Sequence, residues 1–300
     1  MKLKLHIAAL AVGLFASLPA LADNVEETRV ANPDARVEFI AVNGTFEVVG
    51  HDGDTIELNG KLGSDVEELL IAGDETHWTV ELKMKESKRF NLGFTSESDL
   101  TLMVPRGGQI EARVVSADLM LRNLDGDQVE AATVSGTMKL ENVQPRELRV
   151  QSVSGDIESD AGGTERSRAQ SVSGDVILSL VSGDVEVQSV SGDIEVNGDA
   201  ISEFEAETVS GDLDVALRPL PTARMKFSSH SGDIVARLPA DTGVRLSAET
   251  FSGDLDSNFG GNVEHKSRGP GASLEHESGN GDVRVEANTF SGSFSLSKLQ

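Results

Sequence analysis

Val153-Ser154-Gly155-Asp156-Ile157 returns as Val172-Ser173-Gly174-Asp175-Val176, as Val190-Ser191-Gly192-Asp193-Ile194 and as Val209-Ser210-Gly211-Asp212-Leu213. Phe251 to Leu255 carries the motif again, and Val181 to Val185 is an extra copy. Looser copies are Val134 to Met138 with Thr for Asp, His230 to Ile234 with His for the leading apolar residue, Val115 to Leu119 with Ala for Gly, and Phe290 to Phe294. The spacing says more than the motif. The Gly position falls at Ala117, Gly136, Gly155, Gly174, Gly192, Gly211, Gly232 and Gly253, in steps of 19, 19, 19, 18, 19, 21 and 21. The extra copy at Gly183 lies nine residues from each neighbour, a half-period.

A fixed period near 20 residues is the mark of a repeat architecture. Around each motif, apolar and polar residues alternate with period two, and β-branched residues dominate the apolar positions, as strands require. Two short strands per period and a Gly-bearing corner predict an all-β solenoid of about 19–21 residues per coil. Coils stacked about 4.8 Å apart align equivalent residues in columns. This reading predicts an inner column of Val134, Val153, Val172, Val190 and Val209. A second inner column takes Met138, Ile157, Val176, Ile194, Leu213, Ile234 and Leu255. The Gly column leaves room for close backbone approach. The alternative is an antiparallel β-sandwich or meander with hairpins every nine to ten residues.

Working outward, the order weakens. Val37 to Val49 reads as strand, Asn43-Gly44 turn and strand. Asp54 to Leu58, Glu67 to Ile71, Trp78 to Met84 and Ser98 to Val104 read as further strands, closed by Pro105-Arg106-Gly107-Gly108. Residues 23–108 are therefore expected as an irregular β-rich region that caps or starts the solenoid, and 109–300 as the solenoid repeats. Asn258 to Asp282, rich in Gly, Asn, Ser and His, is expected as a surface loop. Residues 1–22 read as a signal peptide: Lys2 and Lys4 are the positive start, Ile7 to Leu18 the apolar run, and Ala20-Leu21-Ala22 the cleavage site. That run is too short to span a bilayer, and no second one follows, so no membrane span is expected in the mature chain. The expected location is the periplasm or the surrounding medium.

Composition narrows function. The chain has 300 residues, a net charge of −24 and no Cys. Cleavage would remove two lysines and deepen the charge to −26. Disulfides, thiolate metal sites and a Cys nucleophile are excluded. So acidic a chain is unsuited to nucleic acid, which needs a cationic surface. Tyr is absent and Trp78 stands alone, which leaves few rings for a sugar-stacking platform.

The leader, the Asn43-Gly44-Thr45-Phe46 opening and the run of Val-Ser-Gly-Asp-Ile copies resemble the "putative adhesin" family of bacterial exported β-strand-repeat proteins, a domain of unknown function. The resemblance spans residues 36 to 296. It implies a β-solenoid, an exported cell-envelope location and no established enzymatic activity. Some relatives carry membrane anchors; this chain departs from them.

The sharpest chemical feature is an outward Asp column of Asp156, Asp175, Asp193, Asp212, Asp233 and Asp254. Stacked carboxylates repel by roughly 1 kcal/mol or more per neighbour, so something must offset them. Ca²⁺ is the candidate cofactor, since hard oxygen ligands suit it. The competing reading is local: Asp accepting backbone N–H bonds in a turn. The Ser column (Ser135, Ser154, Ser173, Ser191, Ser210) repeats identically and lacks a Gly-x-Ser-x-Gly elbow, so ladder hydrogen bonding is expected rather than a nucleophile. His265 and His276, with Glu264, Glu275 and Glu277, are a weak transition-metal cluster without zinc spacing. Trp78, Phe204, Phe227, Phe251, Phe290 and Phe294 are expected in the core or end caps. No singular catalytic constellation stands out. The expected function is a non-enzymatic, exported scaffold or adhesin-like interaction protein. Its partner is an unidentified envelope protein or surface component, or a second copy meeting it through the end coils. The alternative is a carbohydrate-binding or carbohydrate-active β-helix protein, such as a polysaccharide lyase or hydrolase.

Overall fold

A computed structural model describes residues 16–19, 24–85, 96–265 and 270–299. Every element in it is a strand, and all belong to one 25-stranded sheet wound into a solenoid. The first ten strands are β1 (Ala16–Pro19), β2 (Asn24–Val30), β3 (Arg36–Ile40), β4 (Asn43–His51), β5 (Thr55–Lys61), β6 (Val66–Asp74), β7 (His77–Met84), β8 (Ser98–Pro105), β9 (Gln109–Arg113) and β10 (Ser116–Leu124). The regular repeats supply β11 (Gln128–Thr133), β12 (Met138–Val143), β13 (Glu147–Ser152), β14 (Ile157–Ser159), β15 (Arg166–Ser171), β16 (Val176–Ser189), β17 (Ile194–Thr208), β18 (Leu213–Ser229) and β19 (Ile234–Leu238). The last six are β20 (Val244–Thr250), β21 (Leu255–Ser257), β22 (Asn262–His265), β23 (Ala272–Glu277), β24 (Val283–Thr289) and β25 (Phe294–Lys298).

Each coil contributes a strand to each of two faces, and coil pairs with coil in parallel. Met138 sits opposite Ile157, Ile157 opposite Val176, and Ile194 opposite Leu213, one period apart. This parallel register rules out the antiparallel sandwich. The second predicted column is inside as expected, and it is longer than predicted. It runs Leu100, Phe46, Leu119, Met138, Ile157, Val176, Ile194, Leu213, Ile234, Phe294, Leu255, all buried. The facing column carries Ala112, Ala131, Ala169, Ala206, Ala287 and Ala248 among larger residues, all buried. Small residues on one face let large ones on the other fill a thin core without voids. Where both faces are large, rings interlock: Phe39 meets Phe46 edge-on at 5.3 Å between centroids. Trp78 is buried, and its indole N–H donates to the Val30 carbonyl at 3.2 Å. Phe204, Phe227 and Phe294 are core residues too.

The stacking order departs from chain order at both ends. The coil of β3 and β4 lies between that of β7 and β8 and that of β9 and β10. Likewise β24 and β25 slot between β18 with β19 on one side and β20 with β21 on the other. Antiparallel strands then cover the outermost edges. β5 and β2 cover β8, β6 covers β7, and β23 with β22 covers β20. A solenoid with bare edge strands would template pairing with other chains, so these strands act as covers. The stretch Asn258 to Asp282, expected as a surface loop, supplies two of them. Its Leu274 is buried against the end coil, which is why the segment is ordered into strands.

The start and the cleavage site of the expected leader lie outside the described residues. Within it, Ala16–Pro19 pairs antiparallel with β6, Ala16 opposite Ile71.

One expectation is reversed. Val134, Val153, Val172, Val190 and Val209 are not inside; each is 44–46% exposed. The strand before each corner ends on an inward Ser or Thr: Thr133, Ser152, Ser171, Ser189 and Thr208 are buried. The following Val therefore points out, and the corner inverts the alternation before the next strand begins. Two further residues expected in the core or end caps, Phe251 and Phe290, are exposed for the same reason.

Candidate functional site

Five successive Ser-Gly-Asp corners, from Gly155 to Gly232, are built alike. The buried hydroxyls of Ser152, Ser171, Ser189, Thr208 and Ser229 accept the backbone N–H of Gly155, Gly174, Gly192, Gly211 and Gly232, at 2.8–3.0 Å. This satisfies a donor that would otherwise be buried without a partner. Sequence reading missed these residues, although their signal is plain: a Ser or Thr three positions before each Gly. The Gly itself is required by proximity. A Cβ on Gly192 would overlap the carbonyl oxygen of Gly174, and one on Gly211 that of Gly192.

The six Asp residues stand outward, as expected. One oxygen of Asp156 accepts the N–H of Asp175 at 3.0 Å, and Asp175, Asp193 and Asp212 each accept the N–H of the next Asp at 2.8–2.9 Å. Asp233 accepts from Ser293 at 2.7 Å. The stacked carboxylates are thus offset by charge-assisted bonds to the backbone of the neighbouring rung, 18–21 residues away from Asp156 to Asp212, and not to the N–H groups of their own turn as the competing expectation had it. Among the described residues, no group of three or more His, Asp or Glu is placed to hold a metal ion. The Ser column also acts through ladders: Ser154 Oγ donates to the Val134 carbonyl at 3.1 Å. The extra copy at Gly183 sits at the opposite corner, where Val181 is buried and Gly183 has a left-handed φ of 69°.

Beside the outward Asp column, the corner also offers an apolar row to solvent. Backbone bonds from Ser154, Ser173, Ser191, Ser210, Ser231, Ser291 and Ser252 to the residue one rung back fix the order Val134, Val153, Val172, Val190, Val209, His230, Phe290, Phe251. These eight exposed side chains form one ladder, about 34 Å long at the strand spacing. Its last three rings stack in parallel. His230 lies on Phe290 and Phe290 on Phe251, each at 4.8 Å between centroids and within 6° of coplanar. Both faces of the Phe290 ring are covered, so the trio offers edges along the ladder instead of an open platform for a sugar ring.

The rungs from Val172 to Phe251 line a groove of about 840 Å³. Its other wall is polar: Gln170, Gln188, Glu207, Ser228, Asn288 and Glu249. Gln151, Gln170 and Gln188 bind one another along the stack, amide to amide, at 2.9–3.0 Å. No Lys or Arg lines the groove. Lys226, just outside the lining, lies 3.7 Å from Glu207, and further charge compensation occurs on the outer faces of the sheets. There Arg122 bridges Glu47 at 2.8 Å and Glu141 at 2.9 Å across three rungs. The hydrogen bond from Arg122 holds the Glu141 carboxyl below its ordinary value, and the same bond raises the Arg122 guanidinium.

A parallel two-faced solenoid with a repeated Ser-Gly-Asp corner is the class these features define. Residues 50–238 match the Toastrack DUF4097 family, and the chain belongs to that family. No curated protein matches it. Among solved structures, a "putative lipid binding protein" from Parabacteroides distasonis ATCC 8503 is similar at 12% identity with a TM-score of 0.52, over 93% of this chain and 98% of that one. A "putative adhesin" from Bacteroides fragilis NCTC 9343 is similar at 13% identity with a TM-score of 0.44, over 92% and 97%. At 12% identity, the likeness to the first of these is one of fold alone. No helix among the described residues is long and apolar enough to cross a membrane.

Proposed function

We propose that this protein is an exported, non-enzymatic scaffold of the cell envelope that binds a partner along its Ser-Gly-Asp corner. The observation that carries the reading is the ladder itself. Eight apolar or aromatic side chains are exposed in register, beside a groove that runs across coils. Isolated apolar residues on a surface need no explanation, but a continuous stripe of this length does. The absence of a distinguished catalytic group supports the non-enzymatic half. Asp156, Asp175, Asp193 and Asp212 each accept the backbone N–H of the Asp one rung on, so none of the four is set apart as acid or base. Export rests on the leader at residues 1–22. N-terminal sequencing of the protein recovered from periplasm or medium should begin at Asp23.

A photo-crosslinking residue placed at Val190 in living cells should capture a partner from the envelope. The same residue at Asp199, exposed on the opposite corner, should not. Equal capture from both positions, or none from Val190, would reject the corner as the binding surface.

A further inference from the structure

The ladder repeats one distance, and that distance selects among occupants. This step rests on reading the corner as a binding surface. We propose that the groove takes a basic amphipathic α-helix laid along the stacking axis. Its apolar stripe would lie on Val172, Val190, Val209, His230, Phe290 and Phe251, with its Lys or Arg rows beside the carboxylates on either side.

Spacing comes first. The ladder advances about 4.8 Å per rung. The apolar stripe of a helix presents a side chain about every 3.5 residues, an advance of about 5.3 Å. Over the six groove rungs the mismatch grows to roughly 2.5 Å, which side-chain rotamers absorb. An extended peptide presents one face every second residue, an advance of about 6.7 Å, and is out of step by the third rung.

Charge comes second. The chain carries −24 overall, and no Lys or Arg lines the groove. Glu249 stands on one wall, as does Glu207, which shares Lys226 with Glu205. Three residues around the corner from each Val, the Asp column runs parallel to the ladder. An apolar stripe edged by carboxylates complements a helix whose apolar face is edged by cations. A second copy meeting face to face would press two Asp columns together. An alkyl chain would fill the groove but leave the carboxylates unanswered.

The test uses a fluorescent three-heptad peptide with Leu at the a and d positions and Lys elsewhere, titrated by anisotropy against the mature protein. We expect saturable binding that weakens as salt is raised. The Val190→Ser/Val209→Ser variant should lose about tenfold in affinity, the cost of two contacts on the stripe. The Asp175→Asn/Asp193→Asn variant should show a flatter salt dependence. Unchanged thermal midpoints in both variants would show that folding is intact. The helix is rejected if a scrambled peptide of the same composition, a Glu-for-Lys peptide or an alternating Leu-Lys peptide binds as well. It is also rejected if dodecyl maltoside binds in a Val190-dependent way while the helix does not, or if sedimentation shows a dimer that Val190→Ser abolishes. Capture from Val190 without peptide binding would overturn the helix and keep the corner as a binding surface. Failure of both would overturn both.

Discussion

Gly192 has a neighbour, not a conformation, to satisfy. Its added Cβ would meet the backbone of the previous rung, which cannot move without disturbing the ladder on both faces. Gly192→Ala should therefore lower stability by about 3 kcal/mol, read from urea unfolding. Gly163, with a left-handed φ of 72° and open space beyond it, is the opposite case. There Ala should cost about 1 kcal/mol, from backbone strain alone. A comparable loss at both sites would mean that the corner is looser than the stacking implies. Asp193 separates acceptor from charge. Asp193→Ala removes the oxygen that takes the Asp212 N–H and should cost about 1 kcal/mol. Asp193→Asn keeps that oxygen and should unfold close to the parent, and Ca²⁺ should match Na⁺ at equal ionic strength in its effect on the midpoint. A calcium-specific rise would return the Asp column to the list of cation sites.

At the scale of strands, charge is arranged across rungs. Arg122 on β10 reaches β4 on one side and β12 on the other. Because the folded Glu141 carboxyl lies below its ordinary value, its contribution to stability is complete above the usual glutamate range. That contribution is lost as pH falls through the depressed folded value. Arg122→Met should move the Glu141 titration upward, followed by NMR of its side-chain carboxyl; an unmoved titration would mean that the pair is not populated in solution. Strands are also where reading the sequence succeeded and failed. Period-two alternation places Ile157, Val176 and Ile194 inside without error, because each strand keeps one phase from end to end. It misplaces Val153, Val172 and Val190 because the corner breaks that phase. The apolar residue that opens the motif looks like its core partner four positions on, while the inward position belongs to a hydroxyl. Only the hydrogen bond from Gly155 to Ser152 explains the exchange, and that bond joins positions that alternation alone treats as unrelated. The ladder could have been suspected from Phe251, Phe290 and His230. His230 above all stands at the Val position, where an imidazole taken into the core would carry a desolvation cost that a Val does not.

For the whole molecule, the order of coils matters more than their number. Neither swap was visible in the spacing, because a period records where repeats occur and not which repeat each one touches. β20 and β21 reach the regular stack only through β24 and β25. Ending the chain after Asp282 should therefore release more than one rung. Hydrogen exchange in β20 and β23 should rise along with the missing contacts, whereas a simple terminal coil would leave them protected. Protection kept in β20 after that truncation would contradict the observed order.

The same swap bears on the order of assembly. A repeat protein stacked in chain order can grow from a nucleus one neighbour at a time, in step with synthesis or translocation. Here the berth of β24 and β25 has one wall made earlier and one wall, β20, that has nothing regular to rest on until they arrive. The final coil works like the keystone of an arch, set last and holding what was placed before it. Before it is seated, the open end of the stack is most vulnerable to pairing with another chain. After it is seated, β24 and β25 cannot leave without also releasing β20 and β21. The molecule trades gradual fraying for a single late closure, a kinetic protection suited to a chain that has no disulfide to hold it together.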